Sequence, residues 1–353
     1  MKICVPISVK PQGGMHSFIA NFIGYLQSHS VPFTADIEDD YDILFVNSWV
    51  VDYKVVQRIK WRRPPIKVIQ RVDGSARDYG RTDDADERQA RVNMLADLTI
   101  FQSNYSKYST TAKFKVISQD GPIIYNPVDT NLFSPEGEKV ELTYRVKLCH
   151  VGFSTNPMKG MRELCQIAQA NPDMDFILCG QWDNLPQMPN IHFLGHLGRG
   201  EVATVMRSCD IFLHPARNDP CPNVVLEALA SGLPVLYKDS GGTPELVGDC
   251  GVPVEVENLR EQLERVLSSR EELSKAARAR AVKHFSPEVI FPQYLEAIQK
   301  AQRRPSPTAW DFIKASLQGY PVMPRRPYQL GERLRERVSA ALSILKRRLV
   351  RLG

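Results

Sequence analysis

Asp219-Pro220-Cys221-Pro222-Asn223-Val224-Val225-Leu226-Glu227-Ala228-Leu229-Ala230-Ser231-Gly232-Leu233-Pro234-Val235 carries the pattern that decides the fold. It follows an apolar run at 211–214 and leads into another at 234–237, so two buried strands bracket a short helix, the unit of a parallel α/β sheet. Between Asp219 and Lys238 the only charged residue is Glu227. An ionised carboxylate on so apolar a helix is costly unless it is paired or hydrogen-bonded. A pair of ligand hydroxyls, such as a ribose diol, would satisfy it; so would an arginine elsewhere on the scaffold. The helix begins near Asn223, and its free N–H groups and positive dipole end point into the loop where a ligand rich in oxygen would lie.

Outward from this stretch the same grammar repeats. Candidate strands fall at 3–6, 43–47, 67–72, 98–102 and 123–125, and again at 146–151, 175–179, 191–194, 211–214, 234–237 and 252–254. Between the two series, residues 126–141 hold Pro127, Pro135 and Gly137 and read as an interdomain linker. Two Rossmann-like domains facing each other across a cleft are expected. After Val256 the pattern is helical, at 258–269, 270–284 and 286–302, with Ser286-Pro287-Glu288 as a capping signal.

The chain has 353 residues, 45 Lys plus Arg against 40 Asp plus Glu, and a net charge of +5. From Arg325 to Gly353 nine basic residues face two acidic ones, a net +7, which leaves −2 for the rest. A slightly acidic body argues against a nucleic-acid-binding protein with a broad basic face. The seven cysteines are scattered with no CxxC pair, which fits reduced, buried thiols rather than a disulfide frame or zinc site. Met1-Lys2-Ile3-Cys4-Val5-Pro6 enters a strand-like run directly, so no signal peptide is expected, and no apolar stretch is long enough to span a membrane.

Two further places can carry chemistry. Gly13-Gly14 precedes an apolar helical pattern at 16–26; the pair lets a backbone approach a phosphate or sugar, or makes a plain tight turn. His16, beside it, is the one histidine near such a site. Gln70-Arg71-Val72-Asp73-Gly74 closes a strand, where α/β sheets place ligands. Asp73 there is a candidate for orienting or deprotonating an acceptor hydroxyl, with Arg71 near a phosphate or acceptor; a structural Arg–Asp pair is the alternative. Asp173-Met174-Asp175 and Asp84-Ala85-Asp86 spell DxD but stand before a strand and at a helix start, so they read as solvated caps, and no metal is expected.

The 219–235 stretch resembles the signature of family-4 glycosyltransferases of the GT-B fold: an acidic residue, seven intervening residues, a glutamate, then a small-residue helix and a strand. Lys159-Gly160, Gly180, residues 191–195, Gly241-Gly242-Thr243-Pro244-Glu245 and Asn126-Pro127-Val128-Asp129 follow the family's order. The resemblance implies a retaining, metal-independent hexosyltransferase that needs no cofactor beyond a nucleoside-diphosphate sugar of UDP or GDP type, with residues 1–140 on the acceptor side and 141–285 on the donor side. Glu227 would hold the donor ribose, Asp219 the donor sugar, and Lys159 the diphosphate; backbone groups around Pro222 and Asn223 would line the sugar pocket, and Gly13 and Gly14 would approach the donor. Two departures stand out: Asp219 replaces the family's usual glutamate, and Phe153-Ser154-Thr155-Asn156 follows Gly152 where an arginine is usual, leaving Arg77, Arg199 or Asn156 as substitutes. An epimerase or phosphorylase of the same plan, or a silent nucleotide- or glycan-binding protein, is the alternative.

Residues 286–327 are expected to return toward the N-terminal domain. Residues 328–353 show a leucine stripe flanked by arginines, suited to an anionic membrane surface or to packing on protein. The expected partners are the nucleotide sugar and a glycan or lipid-linked glycan acceptor, at the cytoplasmic face of a membrane.

Overall fold

In a computed structural model that describes residues 1–7, 14–113, 121–142, 146–153, 156–182, 186–303 and 305, the chain builds two parallel sheets. The first contains β1 (Ile3–Cys4), β2 (Phe33–Thr34), β3 (Ile43–Asn47), β4 (Lys67–Val72) and β5 (Leu98–Phe101), in the order β2-β1-β3-β4-β5. Its helices are α1 (Gly14–Ser28), α2 (Tyr53–Arg62), α3 (Ala85–Asn93) and α4 (Asn104–Lys113). The second sheet contains β6 (Lys147–Phe153), β7 (Asp175–Gln181), β8 (Ile191–Phe193), β9 (Ile211–His214), β10 (Val235–Tyr237) and β11 (Gly251–Pro253), in the order β11-β10-β9-β6-β7-β8. Around it run α5 (Met161–Ala170), α6 (Arg199–Ser208), α7 (Asn223–Ala230), α8 (Thr243–Val247), α9 (Leu259–Ser268) and α10 (Arg270–Phe285). Parallel strands covered on both faces read as largely apolar runs, and β3, β4, β5 and β9 are buried at every position, Gln70 and Arg71 of β4 included.

Two elements differ from the sequence expectation. Strand β2 is only two residues long, too short for an alternation signal, and was not anticipated. The 123–125 run contributes an isolated bridge from Ile123 to Phe101 rather than a strand.

The last described helix, α11 (Pro287–Gln302), packs on the first sheet rather than the second. Its Phe291 and Tyr294 join Phe18, Phe22 and Phe45 in an aromatic cluster with ring centroids 5.1 to 6.3 Å apart, tilted as ring quadrupoles favour. The basic stripe expected at 328–353 lies outside the described residues.

The two domains touch along the C-terminal edges of their sheets. Ser103 Oγ donates to the Pro220 carbonyl at 2.5 Å. Glu245 of α8 accepts from the N–H groups of Asn104 and Tyr105 at 2.9 and 3.0 Å, and from Tyr125 Oη at 3.1 Å, so a carboxylate from one domain caps the first turn of α4 in the other. Glu245→Ala should therefore lower stability by about 1–2 kcal/mol, read as a lower urea midpoint; an unchanged midpoint would show that the cap carries no stability.

Candidate functional site

Asp219 lies past the end of β9, on a loop whose course is fixed by close backbone contact. Gly241 adopts φ +69°, and a Cβ there would stand 2.4 Å from the Asp219 carbonyl oxygen, so only glycine fits. Gly242 N–H donates to that same carbonyl at 2.8 Å. Lys159 closes the 3-10 turn Pro157–Lys159, capped by Asn156, whose Oδ1 accepts from Met158 N–H at 2.9 Å. The chain then turns at Gly160, φ +77°, where a Cβ would meet the Pro215 carbonyl at 2.3 Å. These two turns bring Lys159 Nζ to 3.0 Å from Asp219 Oδ2.

Burial works against both charges, but the pairing outweighs it. The Lys159 ammonium lies well above the ordinary lysine range because Asp219 faces it, and the Asp219 carboxyl lies below its ordinary range because Lys159 faces it. His214, 1% exposed at the end of β9, has no hydrogen-bond partner on either ring nitrogen among the described residues. Burial pushes it down to about 3, so it stays neutral against the pull of Asp219.

Glu227 sits on α7, half-buried, and its carboxylate has no hydrogen bond or ion pair among the described residues. Burial pushes its carboxyl up to about 7, opposed only by the charge of Arg199. Arg199 acts on Glu227 only through its charge; no ion pair between them is formed among the described residues. Pro222 stands at the N-cap of α7 without a side-chain cap bond, which leaves first-turn N–H groups toward the cleft. Asn223 Oδ1 accepts from Asn126 Nδ2 at 2.7 Å, so its side chain braces the linker.

The first domain contributes less than the sequence suggests. Arg71 is 1% exposed and points into the interior, not toward a phosphate or acceptor. Its guanidinium donates to Asn47 Oδ1 at 2.7 Å, Tyr294 Oη at 3.1 Å, Asp73 Oδ1 at 3.2 Å and Asn126 Oδ1, and lies 4.0 Å from the Phe18 ring centroid. With its donors engaged by the scaffold, it serves as an interior tie. Asp73 Oδ1 also accepts from Gln102 Nε2, leaving Oδ2 as the oxygen without a described partner. Gly74 abuts the Pro220 side chain, so Asp73 lies on the same seam as Asp219. Gly13 lies outside the described residues; Gly14 and His16 fall in the first turn of α1, and their side-chain surroundings lie outside them as well.

The two DxD runs are engaged locally. Asp173 pairs with Arg260 at 2.6 Å, Asp175 with His192 at 2.7 Å, and Asp84 with Arg88 at 2.9 Å. Asp86 is not the solvated cap expected: it is 2% exposed, because it gathers Ser75 Oγ and the N–H groups of Ala76 and Arg77. Arg77 is committed to Glu87, Arg199 lies 5.7 Å over the Phe133 ring, and Asn156 stands at the cleft.

One residue at the site was not singled out by sequence. Tyr79 Oη donates to Asp219 Oδ2 at 3.0 Å, and its ring lies 5.1 Å from Lys159 Nζ. In Arg77-Asp78-Tyr79-Gly80-Arg81 it reads as a solvated charged turn, and no spacing signal links it to residue 219.

Residues 145–269 match the family model described as "Glycosyl transferases group 1". Over 266 residues the chain is 26% identical to the MMP alpha-(1->4)-mannosyltransferase of Mycolicibacterium hassiacum, covering 69% of this chain and 61% of that protein. It is 26% identical over 277 residues to the GDP-mannose-dependent monoacylated alpha-(1-6)-phosphatidylinositol monomannoside mannosyltransferase of Corynebacterium glutamicum, covering 67% of this chain and 71% of that one. The chain thus spans about three fifths of the first relative's length. Among solved structures, Anabaena HepE in complex with UDP-glucose superposes with a TM-score of 0.64 at 17% identity, covering 85% of this chain and 100% of that one. The fold is accordingly GT-B, with two facing Rossmann-like domains.

Proposed function

We propose that the protein is a glycosyltransferase that moves a sugar from a nucleoside-diphosphate sugar, of UDP or GDP type, to a hydroxyl of a glycan or lipid-linked glycan, with retention at the anomeric carbon as in family 4. The observation that carries this is Glu227: a half-buried carboxylate without a described partner, eight positions after an aspartate that is paired with a lysine. Two hydroxyls of a ribose would supply the hydrogen bonds it lacks. The group 1 match at 145–269 covers the whole of this constellation, and the similar Corynebacterium glutamicum enzyme is a GDP-mannose-dependent mannosyltransferase.

The chain's own groups then take these parts. Lys159 offers a point charge to the departing diphosphate, and the uncapped N-terminus of α7 adds N–H donors. Asp219, released from Lys159 by the phosphate, turns its carboxylate to donor-sugar hydroxyls. Asp73 Oδ2 meets the acceptor hydroxyl from the opposite wall. No metal and no further cofactor enters this scheme. No helix among the described residues is long and apolar enough to cross a membrane; contact with an anionic cytoplasmic membrane face is assigned here to residues 328–353, and unchanged liposome binding after their deletion would refute it.

Glu227 also sets a pH dependence. Its carboxyl titrates at about 7 in the free protein and must be ionised to accept two ribose hydroxyls. Donor binding near pH 6.5 should therefore release a proton, and affinity should rise with pH and level off above about 7. Calorimetric titration with UDP and GDP in buffers of different ionisation enthalpy measures this directly. Glu227→Gln should abolish the proton release and weaken binding; if Glu227→Ala keeps full nucleotide binding and turnover, the donor-site assignment fails.

A further inference from the structure

Residues 75–80 bridge the cleft and are held from both sides. From their own domain, the buried Asp86 carboxylate gathers Ser75 Oγ at 3.0 Å and the N–H groups of Ala76 and Arg77. From the other domain, Asn218 Nδ2 donates to the Asp78 carbonyl at 2.8 Å, and Asn156 Nδ2 to the Tyr79 carbonyl at 2.7 Å. Gly80, φ +74°, turns the chain away against Met158 and Asn156. Asn218 itself is held in the left-handed region at φ +56°, with Ser240 Oγ meeting both its N–H and its Oδ1 at 3.0 Å. A strained position is kept, and its side chain spends its amide on this segment.

What the segment delivers is Tyr79. Its hydroxyl and the Lys159 ammonium both donate to the same oxygen, Asp219 Oδ2, each at 3.0 Å, while Lys159 lies over the Tyr79 ring. Oδ1 of Asp219 carries no described bond. We infer that Tyr79 is a positioning residue for the transfer reaction, carried by the first domain, which holds Asp219 with Oδ1 turned to the donor sugar once Lys159 leaves for the diphosphate. This rests on the donor-site reading above. Without Tyr79, the departure of Lys159 would leave Oδ2 without its described donors and the carboxylate free to rotate; with it, the short aspartate is fixed at the moment the two domains are together. The phenol stays protonated for this task, because burial and the Asp219 charge push its pKa up.

Tyr79→Phe tests this, since it keeps the ring under Lys159 and removes only the donor. Binding of UDP or GDP, whichever the wild type takes, should stay within about twofold, because the diphosphate and ribose contacts are untouched. Turnover of the corresponding UDP-glucose or GDP-mannose, followed as released nucleoside diphosphate, should fall about 10- to 100-fold in kcat with a smaller change in donor KM. The acid limb of the kcat/KM profile should move to higher pH, because Asp219 loses a hydrogen bond that holds its carboxyl low. Tyr79→His, which returns a donor, should regain part of the loss, and it keeps the test open if the phenylalanine variant melts early. A variant equal to wild type in kcat, or one slowed with no shift of the acid limb, overturns the role of Tyr79. A wild type that binds neither nucleotide overturns the donor-site reading instead.

Discussion

Lys159→Ala is expected to lower kcat/KM by about 10²–10³-fold, the loss seen when one donor to a developing charge is removed from a preorganised site. Lys159 Nζ is the cation described at the Asp219 carboxylate, and it is delivered there by two backbone turns. Lys159→Arg should recover little, because a planar fork needs room that a compact ammonium does not. The variant also strips a buried carboxylate of its counter-charge. Lys159 holds the Asp219 carboxyl low, so the pair stabilises the fold above the ordinary aspartate value near 3.8 and loses that contribution as pH falls through the lower folded value. Lys159→Ala should flatten this acid-side dependence in denaturation experiments. Activity within about threefold of wild type would remove Lys159 from the diphosphate site.

Arg71→Met should cost about 3–5 kcal/mol of stability, the penalty for breaking a buried charged network from one side. Methionine fills much of the stem's volume, but Asn47, Asn126 and Asp73 then face a thioether. Asn126 opens the linker and Tyr294 lies on α11, so the loss should loosen the first domain from both the linker and its last helix. A lower urea midpoint with nucleotide binding retained below it is the expected result; unchanged stability with lost binding would return Arg71 to the ligand site.

The contrast between these two residues shows what sequence carries. Glu227 stood out because it is the one charged residue between Asp219 and Lys238, on a local strand–helix–strand unit, and Lys159 entered only through the family resemblance. Arg71 was left between a ligand role and a structural pair, because its partners come from residues 47, 126 and 294, which no local pattern joins. Tyr79 and Glu245 act across the seam between domains, and that docking depends on two separately folded surfaces. Asp86 misled for a similar reason: a carboxylate in the first turn of a helix ordinarily faces water, but here a loop folds back over it.

The placement of α11 has a consequence for how the protein is made. Phe18, Phe22 and Phe45 emerge early from the ribosome, but Phe291 and Tyr294, which complete their core, follow only after the entire second domain. At roughly 5–20 residues per second, the interval between the end of the first sheet and the end of α11 is on the order of 10–40 seconds. The domain translated first is therefore finished last, and its aromatic face must be sheltered during synthesis while the later-made domain closes on its own helices.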